Sequence, residues 1–133
     1  MKKTFSVLLI AIFSFGFLSF SITKQELVGT WRWIHVLNSN TGQEMNVSEL
    51  TMGMAKEVKT QFKDENTYVE LTTNTEDNSV STKEGQWELA KDGATLTMIS
   101  KGKTLPSKIV SLRNDTLVVE MRSPMNLVMV KEK

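Results

Sequence analysis

The stretch Lys83–Ser100, KEGQWELAKDGATLTMIS, decides the fold. In its first run, Lys83–Leu89, the residues Gly85, Trp87 and Leu89 share one face; in its second, Thr95–Ser100, Leu96 and Met98 occupy the matching positions. Alternation of period two marks a half-buried strand. Asp92-Gly93 between the runs supplies the positive φ of a tight hairpin. The stretch is therefore predicted to be two antiparallel strands rather than a helix.

The same pattern extends in both directions. Upstream, Lys56–Lys63 (KEVKTQFK) sets Val58, Thr60 and Phe62 against Glu57, Lys59, Gln61 and Lys63, and the turn cluster Asp64-Glu65-Asn66 leads into Thr67–Thr73, read with Val69 and Leu71 inward. The polar run from Asn74 to Ser81 is read as a loop. Downstream, Lys101-Gly102-Lys103 turns the chain into Thr104–Leu112, Asn114-Asp115 into Thr116–Arg122, and Ser123-Pro124 into Asn126–Lys131. The first strand, Val28–Leu37 (VGTWRWIHVL), places Trp31, Trp33, His35 and Leu37 on one face. Eight strands joined by mostly short links favour a closed up-and-down barrel over a sandwich, whose crossing connections are longer, and closure removes exposed strand edges.

The segment Asn38–Ala55 carries conflicting signals. Leu50, Met54, Val58 and Phe62 recur every four residues, as on a helix, but Gly53 and the alternation after Lys56 favour a strand. The segment is read as a long flap with at most a turn or two of helix.

The amino terminus reads as an address. Lys2 and Lys3 precede an uncharged run from Phe5 to Phe20 that ends at Ser19-Phe20-Ser21, the pattern of an export signal cut after Ser21. Residues 1–21 are thus expected to be a signal peptide and 22–133 the working domain, secreted or periplasmic, with no membrane span after cleavage. The run falls short of the ~20 residues that cross a bilayer. Without Cys there is no bacterial lipid anchor, disulfide scaffold, thiolate nucleophile or sulfur zinc site. Cleavage removes two of the 16 basic side chains and none of the 15 acidic ones, so no electrostatic grip on nucleic acid is expected.

Gly29-Thr30-Trp31 at the start of the first strand of such a meander resembles the lipocalin-like branch of the calycin barrels. The resemblance covers Leu27–Lys131 and implies an eight-stranded antiparallel lipocalin-like barrel. It also implies that Gly29 and Trp31 close one barrel end, with Arg122, or alternatively Arg113, stacked on the indole. The missing disulfide and the absence of room for a C-terminal helix after Lys131 point to a compact bacterial-type relative. Independently of the family, an indole beside a Gly can lie flat across a barrel end and take a cation on its face.

An eight-stranded barrel is either filled by its side chains or holds one small ligand. The expected interior includes Trp33, Phe62, Trp87, Met98 and Met121 as candidate ligand-binding residues, with Thr60, Ser100 and Ser111 as polar interruptions. Two readings follow. One is a non-catalytic carrier of a small hydrophobic or amphipathic molecule; the other is a filled barrel that binds a protein partner through its flap, as an inhibitor or envelope component. Met45, Met52 and Met54 in the flap suit an adaptable entrance or a cover over the barrel end. Catalysis has little footing: His35 is the only histidine, and Glu70, Glu88 and Glu120 alternate with apolar neighbours and are expected to face solvent. No cofactor and no metal are called for.

Overall fold

The structure, a computed structural model, describes residues 22–133. The proposed signal peptide lies outside the described residues. A short helix, α1 (Lys24–Leu27), leads into β1 (Gly29–Asn38), followed by β2 (Glu44–Asn46), α2 (Val47–Leu50), β3 (Ala55–Phe62) and β4 (Thr67–Asn74). The chain continues through β5 (Val80–Leu89), β6 (Thr95–Ser100), β7 (Lys103–Arg113), β8 (Thr116–Arg122) and β9 (Met125–Lys131). Every neighbouring pair is antiparallel, and β9 returns to pair with β1 from Trp31↔Lys131 to Asn38↔Met125, so the sheet closes. The barrel comprises β1 and β3–β9, with β2 as an outside strand. The expected meander is therefore present.

The turns between strands are set by local chemistry. Asn114 and Asp115 both adopt positive φ, as do Lys101 and Gly102, the requirement of two-residue hairpin turns whose twist matches the flanking strands. The expected loop from Asn74 to Ser81 is shorter than read. Asn74 Oδ1 accepts the Glu76 N–H, and Asp77 Oδ1 accepts both the backbone N–H and the hydroxyl of Ser79, so β5 already begins at Val80.

The flap is more ordered than its sequence suggested. Asn46 caps α2 by accepting the Glu49 N–H at 2.8 Å, while the Glu49 carboxylate accepts the Asn46 N–H, a reciprocal capping box. Beyond Arg32, β1 leaves β3 and pairs instead with β2 through His35–Leu37. α2 fills the resulting gap, with Val47 clustered with Ala55 and Val58 and Trp33 packed against that cluster. Met52 and Met54 stand in solvent at 88% and 68% exposure, so these thioethers do not cover the barrel end.

Three strand faces differ from the expected ones. In β1 an irregularity between Trp33 and His35 inserts one extra residue, so Trp31 and Trp33 point inward but the next buried residue is Val36, not His35 or Leu37. His35 instead lies 3.8 Å from Glu44 on the outside strand. A second bulge in β7 between Ile109 and Ser111 turns Leu112 toward the core in place of Ser111. In β4 the inward set is Tyr68 and Glu70 rather than Val69 and Leu71. A one-residue slip exchanges the faces of a strand, and the constraint that fixes this one is across the sheet. Tyr68 is the Cα partner of Gly85, and a Cβ at Gly85 would lie 2.5 Å from the tyrosine ring and in the Ile99 carbonyl. The ring lies over the space that glycine leaves.

Candidate functional site

One end of the barrel is sealed. Trp31 is fully buried and its Nε1 donates to the Leu27 carbonyl at 2.8 Å, tying β1 to α1. Trp87 donates to the Lys63 carbonyl at 3.0 Å and meets Phe62 edge-on, with ring centroids 5.2 Å apart. Lys24 from α1 lies over the outer side of Trp87. Burying each of these large side chains contributes roughly 1.5–3 kcal/mol, and each indole N–H has its acceptor.

The cation on Trp31 is Lys131, with its Nζ 5.6 Å from the ring centroid. The expectation that Arg122 would fill this place is overturned. β8 runs from Thr116, paired with Val130 near the sealed end, to Arg122, paired with Met125 at the opposite end, so the arginine is exposed a barrel length from the indole. Lys131 pairs directly with Trp31. Gly29 serves that contact, since a Cβ there would approach Lys131 Cε to 2.7 Å.

Above this floor lies a cavity of about 420 Å³. Its lower wall is formed by Phe62, Tyr68, Leu96, Val119, Leu127 and Met129, and its upper wall includes Met98, Leu105 and Met121. Trp33 borders it too, its indole N–H donating to Thr60 Oγ1 at 2.9 Å. Of the five residues proposed for ligand binding, Trp33, Phe62, Met98 and Met121 are thus brought to one space. Trp87 is not: it belongs to the floor, behind Phe62, because its N–H is committed to the β3–β4 turn. The interior is not filled by its side chains, which removes the solid-barrel version of the protein-binding reading.

The polar part of the wall was not foreseen. Thr60, Glu70 and Lys83 are successive Cα partners across β3, β4 and β5 and form a row above the Phe62–Tyr68–Gly85 row. Glu70, expected in solvent, faces the cavity. Burial pushes its carboxyl above the ordinary carboxylate range, and the Lys83 ammonium partly offsets this. Lys103, Thr104, Ser100 and Ser107 complete the polar lining. Lys83 lies on the half of β5, Val80–Gly85, that pairs with β4 alone, and Lys103 begins the half of β7 that pairs with β6 alone. The mouth is therefore notched between β5 and the β6–β7 turn. Pro106 suits this unpaired edge, having no N–H to leave unsatisfied. Among the described residues no group of three or more His, Asp or Glu is placed to hold a metal, and no helix is long and apolar enough to cross a membrane.

A family model described as a lipocalin-like domain matches residues 27–119. The chain belongs to the lipocalin-like domain family. That match begins at the floor residue Leu27 and runs through Val119 of the cavity wall, so it includes both the Gly29-x-Trp31 closure and the Thr60–Glu70–Lys83 row. This lipocalin-like barrel also resembles, in fold, the crystal structure of an uncharacterized protein from Bacteroides eggerthii DSM 20697, with a TM-score of 0.60 at 11% identity over 80% of this chain and 99% of that one. No curated protein matches.

Proposed function

We propose that this lipocalin-like protein is an exported, non-catalytic carrier that holds one small hydrophobic or amphipathic molecule inside the barrel. The observation that carries the reading is the cavity itself. Its volume lies within the roughly 300–1,000 Å³ typical of small-ligand sites, and its wall is mostly aliphatic, aromatic and thioether surface with a few converging polar groups. The one histidine faces Glu44 outside this space, which supports reading the cavity's charged groups as recognition groups rather than as an acid-base pair. Action outside the cytoplasm rests on Lys2, Lys3 and the uncharged run that follows them.

Trp33 is the only tryptophan of the three that borders the cavity. Titration with an environment-sensitive hydrophobic dye is expected to change tryptophan emission in the native protein and in Trp87→Phe, but not in Trp33→Phe. Filling the space with Val119→Phe is expected to weaken dye binding at least tenfold while the β-sheet circular dichroism is kept. A saturable dye signal that survives Val119→Phe unchanged would place binding elsewhere and remove the carrier reading.

A further inference from the structure

Lys83, Glu70 and Lys103 are the acidic and basic residues of the cavity wall, and all three stand toward its notched mouth rather than its floor. Both lysine side chains are exposed, which lets their aliphatic stems line the apolar wall while the ammoniums remain wet. Neither ammonium is held in an ion pair among the described residues, whose ion pairs involve His35 and Lys59. Lys83 sits beside the half-buried Glu70 as its cross-strand partner, so these two charges largely compensate each other. Lys103, on the other side of the notch, has no such neighbour on its β6 partner, Ser100. Among the residues that line the cavity, the balance toward the mouth is thus one positive charge in excess, above an apolar interior.

We infer that the ligand is a monoanionic amphiphile, its singly charged carboxylate-type head held at the mouth by Lys103 with Lys83, and its hydrocarbon end lying against Phe62, Leu96 and Leu127. This rests on the carrier reading and adds the head-group class to it. A cationic head would meet the two ammoniums before it reached Glu70. A neutral head would gain only the hydroxyls of Ser100 and Thr104. An anion gains a charge-assisted interaction, and its apolar end need not carry charge past the Glu70 carboxylate.

The test compares decanoate, decanol and decylamine as competitors of a bound hydrophobic dye at low ionic strength and neutral pH, with native protein, Lys83→Met, Lys103→Met and the double variant. Decanoate is expected to displace the dye at least fivefold more effectively than decanol, with decylamine weakest. In the double variant the preference should disappear, with decanoate and decanol becoming equal within twofold. Equal displacement by decanoate and decanol in the native protein, or a preference for decylamine, overturns the head-group assignment while leaving a carrier in place. A decanoate preference that survives the double substitution likewise overturns it. Failure of all three to compete, with no dye bound, removes the carrier reading and this inference with it.

Discussion

Lys131 reaches across the vacant side of Gly29 to place its ammonium over the Trp31 ring, 5.6 Å from the centroid. The Gly-x-Trp spacing acquires a physical meaning from this contact. Gly29 adopts a φ of +141°, a conformation that L side chains rarely take, and it leaves the path that the lysine stem occupies. Gly29→Ala is therefore expected to destabilise the fold by roughly 1–3 kcal/mol through backbone strain, with some further loss from displacement of Lys131. Lys131→Ala should cost about 0.5–1 kcal/mol, whereas Arg122→Ala should stay within about 0.5 kcal/mol of native. Equilibrium urea unfolding of the three variants checks the order; an Arg122 effect as large as that of Lys131 would contradict it.

Gly85→Ala is expected to be more damaging than an exposed glycine substitution such as Gly42→Ala. The new methyl would enter the Ile99 carbonyl, which belongs to the β5–β6 ladder and cannot swing away, as well as the Tyr68 ring. Overpacking of this kind costs about 1–3 kcal/mol. Around Gly42 no atom lies near the position of a Cβ, so its cost is limited to its positive φ. Thermal unfolding by circular dichroism compares the two, and a Gly85→Ala midpoint no lower than that of Gly42→Ala would show that the Tyr68 ring is free to move.

Much of this fold was legible because alternation and turn pairs are local properties. Asp92-Gly93, Asn114-Asp115 and the run Thr116–Arg122 identify strands and hairpins without reference to the rest of the chain. What escaped was set across the sheet. The segment Thr67–Thr73 alternates equally well with either face inward, and the lone mid-strand glycine, Gly85, was the available signal that a ring must lie opposite it. The bulges after Trp33 and Ile109 insert single residues that no two-residue pattern registers, which is why His35 and Ser111 were assigned to the wrong faces. α2 had a readable start in Asn46 and Glu49, three residues apart. Phe62 and Met98 were found in the cavity wall because their strands alternate without interruption around them; Met121 lines it although the β8–β9 register shifts between Glu120 and Arg122. Glu70 was missed because a carboxylate between two apolar neighbours normally marks the wet face.

Burial of Glu70 predicts a pH dependence of opposite sign to that of an ordinary salt-bridged carboxylate. Its folded-state proton affinity is raised, so the folded protein binds a proton more tightly than the unfolded chain. Stability from this group is therefore present at low pH and is lost as pH rises through the folded-state pKa. In the ligand-free protein Glu70→Gln should raise the melting temperature at neutral pH, with the advantage shrinking as pH falls toward the ordinary carboxylate range. Lys83→Met should raise the Glu70 proton affinity further, because the ammonium opposes the effect of burial. Carboxyl-carbon NMR titration reads both; a Glu70 midpoint at or below that of an exposed glutamate, unmoved by Lys83→Met, would place its carboxylate in water.

The Trp33–Thr60 pair gives the last prediction, because it joins the cavity to the strand it leans on. The indole N–H donates to the Thr60 hydroxyl at 2.9 Å, with Thr60 2% exposed and Trp33 half-buried. Removing one partner leaves the other unsatisfied, at about 1–3 kcal/mol, whereas removing both leaves none. Thr60→Val and Trp33→Phe should therefore each destabilise the fold, and the double variant should lose less than the two losses combined, by about 1 kcal/mol or more. Because Trp33 also packs against the Val47–Ala55–Val58 cluster that seats α2, Trp33→Phe should in addition speed hydrogen exchange in Val47–Leu50, an effect Thr60→Val should not share. Additive losses in urea unfolding would mean that the indole and hydroxyl do not depend on each other. Equal exchange in the two single variants would mean that α2 is held by Ala55 and Val58 without the indole.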